Sequence, residues 1–236
     1  MYTYKNKSIA VFGDGIPYEE LKYLNREFID GLTYNPTLFR NIGVSNYLDY
    51  ASKISAEVKD ISVSFEVIAD DTLNTISQAR KLSQLGENIS IKIPITFTNG
   101  AITKDTIDTL KNEEIKMNIT AIFTLEQIKQ ILPIIEKTST ILSVFAGRLY
   151  DIGVDAKKEM KKISDFVHNY SNCKVLWASP RMSYDIISAI ESGADIITMP
   201  NNLINKLDKI GAAPSDYSLE TVKMFYNDAV KSNFKI

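Results

Sequence analysis

The chain has 236 residues, 24% of them charged and 44% apolar, with a formal net charge of −2. That length suits one α/β barrel or two small domains with a sizeable core, and the balance is ordinary for a soluble globular protein. The charge provides no basic field for nucleic acid, and a single cysteine excludes an internal disulfide or a cysteine metal cluster.

The longest apolar runs fall far short of a membrane span, and Met1-Tyr2-Thr3-Tyr4-Lys5 lacks the apolar core of a signal peptide. A reduced cytoplasmic setting is expected. Short β-branched runs recur at 9–12, 29–33, 61–67, 89–93, 115–119, 141–145, 174–178 and 196–199. Each interval has room for a helix. After the third run, Leu73, Ile76, Ala79 and Leu82 predict one apolar helix face, with Gly86 as its stop. After the fifth, Thr124 and Gln127 have capping-box spacing ahead of Ile128, Ile131 and Leu132. His168 falls on the polar side of a predicted helix, as a solvated surface group. Cys173 opens the seventh strand, as a buried inert thiol. After that strand, Ile186, Ile187 and Ile190 precede Gly193. The stretch 218–231 predicts a last amphipathic helix, with Val222, Phe225, Tyr226 and Val230 on one side. It would lie across the barrel mouth or against a neighbouring subunit.

Eightfold strand–helix alternation predicts an α/β fold, a single (β/α)8 TIM barrel with an extra C-terminal helix. An open doubly wound sheet is the alternative. It is disfavoured because no glycine-rich dinucleotide turn follows the first strand. No linker divides the chain, so one domain over 1–236 is expected.

The fourth run, Asn88-Ile89-Ser90-Ile91-Lys92-Ile93-Pro94, carries one lysine and no other charge. Burial destabilises a lysine's charged form, and the neutral amine is the nucleophile a Schiff base needs. Strand alternation places Ile89, Ile91 and Ile93 toward the helices, leaving Ser90 and Lys92 inward. In the third run Val63, Phe65 and Val67 point outward, and Ser62, Ser64 and Glu66 inward. Asn118 and Thr120 share a face of the fifth strand, Ser143 and Phe145 one of the sixth, and Thr33 and Asn35 one of the second. Asp14 follows the first strand, flanked by Gly13 and Gly15. These groups fall near the C-terminal strand ends, where barrel enzymes place their chemistry. A hydrogen-bonded polar plug explains any one of Ser62, Ser90 or Thr33. It does not explain Lys92, Glu66 and Asp14 together. Arg148 and Arg181 follow the sixth and seventh strands, and with Ser179 predict a forked phosphate site.

Five segments carry a family resemblance in order: 30–38 (Asp-Gly-Leu-Thr-Tyr-Asn-Pro-Thr-Leu), 91–96 (Ile-Lys-Ile-Pro-Ile-Thr), 117–124 (Met-Asn-Ile-Thr-Ala-Ile-Phe-Thr), 143–148 (Ser-Val-Phe-Ala-Gly-Arg) and 177–181 (Trp-Ala-Ser-Pro-Arg). They resemble the transaldolase family, including its short fructose-6-phosphate aldolase-like branch, over nearly the whole chain. The resemblance implies a Schiff-base Lys92, an acid/base Asp14, and a Glu66–Thr120 pair that positions water. It implies Asn35, Asn118 and Ser143 on substrate hydroxyls, with Thr33 and Phe145 beside them. Arg148, Ser179 and Arg181 would take phosphate. It also implies no metal or organic cofactor, sugar phosphates as partners, no membrane, and a homo-oligomer. Tyr34 stands where the family usually has Thr. The aldolase branch has Gln and Tyr at the positions of Glu66 and Phe145, so transaldolase is the expected activity. An aldolase releasing free dihydroxyacetone and a non-catalytic sugar-phosphate-binding barrel are the alternatives.

Overall fold

The computed structural model describes residues 1–25 and 28–235. Eight parallel strands close into a barrel: β2 (Lys7–Asp14), β3 (Gly31–Thr33), β4 (Ser62–Glu66), β5 (Ile89–Pro94), β6 (Met117–Ile122), β7 (Ile141–Val144), β8 (Lys174–Trp177) and β9 (Ile196–Met199). Closure comes from β9 pairing with β2, Ala10 through Gly13 against Ile196 through Met199. Strand β1 (Tyr2–Tyr4), absent from the sequence-based expectation, folds back antiparallel on β2 through Tyr2↔Ile9 and Tyr4↔Lys7. With helices after the strands, this is the expected (β/α)8 barrel.

The period-2 pattern sets which face each strand buries. Val63, Phe65, Ile91, Ile93 and Ile119 are fully buried against the helix layer. Inside the barrel, Phe12, Ile141, Leu176, Ala178 and Ile196 form a separate apolar cluster, with Ala10 and Phe145 packed on it. Polar residues on the inward face therefore have an apolar plug among their neighbours.

Helix Leu125–Ile135 opens with the expected capping box, the Thr124 side chain accepting from Gln127 N–H and the Gln127 side chain reaching back. Helix Thr72–Ser83 departs from expectation at both ends. Ile76, Ala79 and Leu82 are buried, but Leu73 is 80% exposed, and Thr75 faces inward with them. Steps of three fall short of a turn of about 3.6 residues, so by Leu73 the series has drifted around the helix, away from the face that buries Thr75, Ile76, Ala79 and Leu82. The helix ends at Ser83 with Gln84 as its cap, and Gly86 lies beyond it. Gly193, by contrast, caps helix Asp185–Ser192 in the left-handed conformation.

Cys173 is buried just before β8, and burial pushes its thiol pKa up, consistent with an inert role. His168 is exposed on the surface as expected, with its Nε2 2.8 Å from Asp195 Oδ2. The chain forms two compact units, Met1–Ile204 with the barrel and Asn205–Ile236 with the last helix. That helix runs Pro214–Ser232, four residues earlier than periodicity suggests, because Pro214 suits a first helical turn. Among the described residues, no helix is long and apolar enough to cross a membrane.

Candidate active site

Strand register brings the ionisable groups together. Glu66 on β4 sits beside Lys92 on β5, and Lys92 sits beside Asn118 on β6. Neighbours in register on parallel strands point the same way, so all three enter the barrel in one row. Lys92 Nζ lies 3.1 Å from Glu66 Oε2, with the two side chains 6% and 17% exposed. A buried cation is costly unless paired, and Glu66 supplies the pair. Lys92 Nζ also donates to the Tyr34 carbonyl at 3.4 Å.

Asp14 ends β2, in register with Thr33 on β3. The Thr33 hydroxyl donates to Asp14 Oδ1 at 2.6 Å. Burial raises the Asp14 pKa, against the opposing pull of the Lys92 charge and the Thr33 bond. The chain must turn sharply after Asp14, and Gly15 does so at φ +69°, its N–H donating to Thr33 O at 2.9 Å. A side chain there would be strained and would press into Leu38.

A cavity of about 410 Å³ joins these groups at the C-terminal ends of the strands. Asp14, Thr33, Asn35, Glu66, Lys92, Thr120, Ser143, Phe145, Arg148 and Ser179 all line it. Asn35 also caps helix Pro36–Asn41, its Oδ1 accepting from Leu38 N–H at 2.9 Å, which fixes the side chain's orientation. Thr120 Oγ1 is buried with no hydrogen-bond partner among the described residues. A buried hydroxyl left open in this way is costly unless something polar binds it. Thr120 lies at a bulge in the β6–β7 pairing, where Ala121 takes φ +58°. Bulges of this kind re-aim side chains beside functional sites.

Asn118 and Arg181 stand apart from the cavity lining. Asn118 is fully buried, donating from Nδ2 to Ser64 Oγ at 3.2 Å and accepting from Ser143 Oγ at 2.6 Å. It therefore orients Ser143, which does line the cavity. Arg148 lies on helix Ala146–Asp151, its guanidinium 5.0 Å from the Phe145 ring centroid. Arg181 instead forks onto Asp151, through Nε at 3.0 Å and a second contact from its terminal nitrogen. The helix carrying Arg148 and the loop carrying Ser179 touch through Gly147, where a Cβ would fall 1.5 Å from the Ser179 carbonyl oxygen. Only glycine permits that approach.

Some cavity contacts escaped the sequence. Thr198 on β9 lines the cavity and shares a hydroxyl bond with Thr33. Its parity with the inward-facing Ile196 is the signal that would have found it. The Tyr34 side chain points away from Lys92, stacks on Phe65 and donates to Ile16 O at 2.8 Å, while its carbonyl faces the lysine.

Fold and site together define a (β/α)8 barrel with a lysine–carboxylate centre at the C-terminal mouth. A sequence model described as transaldolase/fructose-6-phosphate aldolase matches residues 11–236, and the chain belongs to that family. A protein of Sulfurihydrogenibium sp. named "Probable transaldolase" is 34% identical over 203 residues, 84% of this chain and 88% of its own length. One of Bdellovibrio bacteriovorus with the same name is 32% identical over 228 residues, 95% of this chain and 99% of its own length. Among solved structures, the carboxyl transferase domain of Rhizobium etli pyruvate carboxylase superimposes with a TM-score of 0.58 at 10% identity. That match covers 83% of this chain and 40% of the other, a likeness of fold alone.

Proposed function

We propose that this protein is a transaldolase, moving a dihydroxyacetone unit from a ketose phosphate such as fructose 6-phosphate or sedoheptulose 7-phosphate to an aldose phosphate through an imine at Lys92. The observation that carries the reading is the Lys92–Glu66 contact at 3.1 Å on the wall of a cavity that also holds Asp14.

Lys92 first yields a proton to Glu66, and the neutral amine attacks the substrate ketone carbon. A proton of the attacking nitrogen passes to the new alkoxide through the water held by Thr120 Oγ1, and Glu66 then protonates the carbinolamine hydroxyl, which leaves as water. The resulting iminium is an electron sink. Asp14 takes the proton of the C4 hydroxyl, the C3–C4 bond breaks, and its electron pair enters the iminium to form an enamine. The aldose phosphate departs. The enamine carbon then attacks the aldehyde of a second aldose phosphate, Asp14 returns the proton to the new hydroxyl, and water releases the product from Lys92. Asn35 and Ser143, the latter oriented by Asn118, meet substrate hydroxyls. Arg148, Ser179 and Arg181 take the phosphate end, giving the proximity a two-substrate reaction lacks. A raised Asp14 pKa supports proton exchange with a sugar hydroxyl.

Release of free dihydroxyacetone is the second reading. The presence of Phe145 at the cavity, rather than a residue with a hydroxyl, favours transfer. Homo-oligomeric assembly and a cytoplasmic setting complete the proposal. Exposed Val222, Phe225, Tyr226 and Val230 on the last helix support the former.

The test is borohydride trapping with fructose 6-phosphate. Irreversible mass on the Lys92 peptide is expected, and an unmodified Lys92 would leave a sugar-phosphate-binding barrel without catalysis. Omitting erythrose 4-phosphate should stall the enzyme as the adduct, whereas sustained turnover would favour the aldolase.

A further inference from the structure

The parallel ladder between β3 and β4 stops one rung short of Glu66. Tyr34 N–H donates to Ser64 O at 2.9 Å. Continuing that pattern by two residues would pair Glu66 N–H with Tyr34 O, and Glu66 O with the nitrogen of residue 36. Residue 36 is a proline, has no N–H, and already opens helix Pro36–Asn41. The Tyr34 carbonyl faces Lys92 Nζ instead. Both main-chain groups of Glu66 would then be left at a strand end beside the buried ion pair, at a cost typical of unmade hydrogen bonds.

Tyr47 fills the missing rung. It is the first residue of helix Tyr47–Glu57. Its hydroxyl donates to Glu66 O at 2.7 Å and accepts from Glu66 N–H at 2.9 Å. One oxygen thus takes the place of both partners the departing strand withdraws. The ring is clamped against Phe39, centroids 4.6 Å apart, and Phe39 packs in turn on Phe65, next to Glu66. Burial and the nearby Glu66 charge push the Tyr47 phenol pKa upward, so the hydroxyl keeps the proton it donates.

We infer that Tyr47 is a positioning residue for the chemistry at Lys92: its hydroxyl fixes the main chain of Glu66, and so holds the Glu66 carboxylate at the distance from which it exchanges protons with the amine. This rests on the Schiff-base reading above and extends it to a residue outside the cavity. The same bonds leave the Tyr34 carbonyl available to Lys92, so the effect of Tyr47 converges on one nitrogen from two sides.

The experiment measures the rate of borohydride-trappable imine formation with fructose 6-phosphate in four proteins: the parent, Tyr47→Phe, Glu66→Gln and the double variant. Tyr47→Phe keeps the ring and removes only the hydroxyl. It is expected to slow imine formation by about tenfold or more, the scale on which small misplacements act, with KM little changed. In the Glu66→Gln background the same substitution should slow it by less than about twofold, because the carboxylate it positions is gone. Equal slowing in both backgrounds would mean a merely structural tyrosine and would overturn the inference, as would no slowing in either. Should Tyr47→Phe fail to fold, amide exchange in the parent decides. The Glu66 N–H must exchange as slowly as the amides within β4 and β5, and exchange at a loop rate refutes the rung. Absence of any adduct on parent Lys92 would instead remove the Schiff-base reading itself, and the exchange measurement would still judge the rung.

Discussion

The Thr33 hydroxyl donates to Asp14 Oδ1 at 2.6 Å between residues that sit side by side on β2 and β3. A bond to the charged form favours that form, and it works with the Lys92 charge against the burial that raises the Asp14 pKa. Thr33→Val removes one of the two lowering influences, so the Asp14 pKa should rise further. A base must be deprotonated to accept the C4 hydroxyl proton. The acid limb of the kcat profile is therefore expected to move to higher pH. An unmoved or downward-moving limb would separate Asp14 from the titration.

The same pKa has a consequence for stability. Its raised value means the folded protein binds this proton more tightly than the unfolded chain. Stability then falls as pH rises from the ordinary carboxylate range, near 4, through the folded value. At neutral pH the buried carboxylate is a cost that a neutral amide would not carry. Asp14→Asn is expected to raise the melting temperature at pH 7, with the gain vanishing below about pH 4. Turnover should be lost while fructose 6-phosphate still forms the trappable adduct at Lys92. Thermal scans at pH 7 and pH 4 beside the trapping assay check all three.

How far the sequence reveals this molecule depends on the range of each interaction. The barrel strands were legible because β-branched runs alternate with helical periods, and the inward lysine because isoleucines at 89, 91 and 93 define the opposite face. The Glu66–Lys92 pairing follows from the same parity, once adjacent strands of a barrel are brought into register. Geometry with no periodic signature stayed hidden. The left-handed Ala121 and the bulge around it arise from how β6 meets β7, and nothing in Met-Asn-Ile-Thr-Ala-Ile announces them. Leu73 belongs to the apolar series 73, 76, 79 and 82 yet is exposed, because steps of three residues drift around a helix of about 3.6 residues per turn and carry it off the buried face. Tyr47 reaches Glu66 across 19 residues through a hydroxyl, a contact that no helical or strand period encodes.

Phe145 lines the cavity with its ring 5.8 Å from that of Phe123 and under the Arg148 guanidinium. It has no proton to give the enamine. A tyrosine of nearly the same shape would bring a phenolic hydroxyl to the place where protonation releases dihydroxyacetone. Phe145→Tyr is expected to raise free dihydroxyacetone release from fructose 6-phosphate, without acceptor, by about tenfold or more, a modest share of what a placed acid contributes. An unchanged release rate, measured by coupled reduction of dihydroxyacetone, would count against the partition proposed here.

Arg148 and Arg181 enter the phosphate proposal from different starting points. Arg148 already lines the cavity, stacked on Phe145 and free of a carboxylate contact within ion-pair distance among the described residues. Arg181 is forked onto Asp151, with its main-chain N–H also held by Asp185 Oδ2 at 2.6 Å. To take a phosphate, Arg181 must share or surrender Asp151, and that loss offsets part of what the new bonds contribute. Among the described residues, Arg148 surrenders a stacking contact and no ion pair. A charge-assisted pair is worth about 1.5–3 kcal/mol, so Arg148→Ala should raise the KM for fructose 6-phosphate by roughly tenfold or more. Arg181→Ala should raise it by clearly less. Steady-state kinetics of the two variants give the order directly, and a larger KM increase for Arg181→Ala would mean that Asp151 yields the guanidinium to the substrate at little cost.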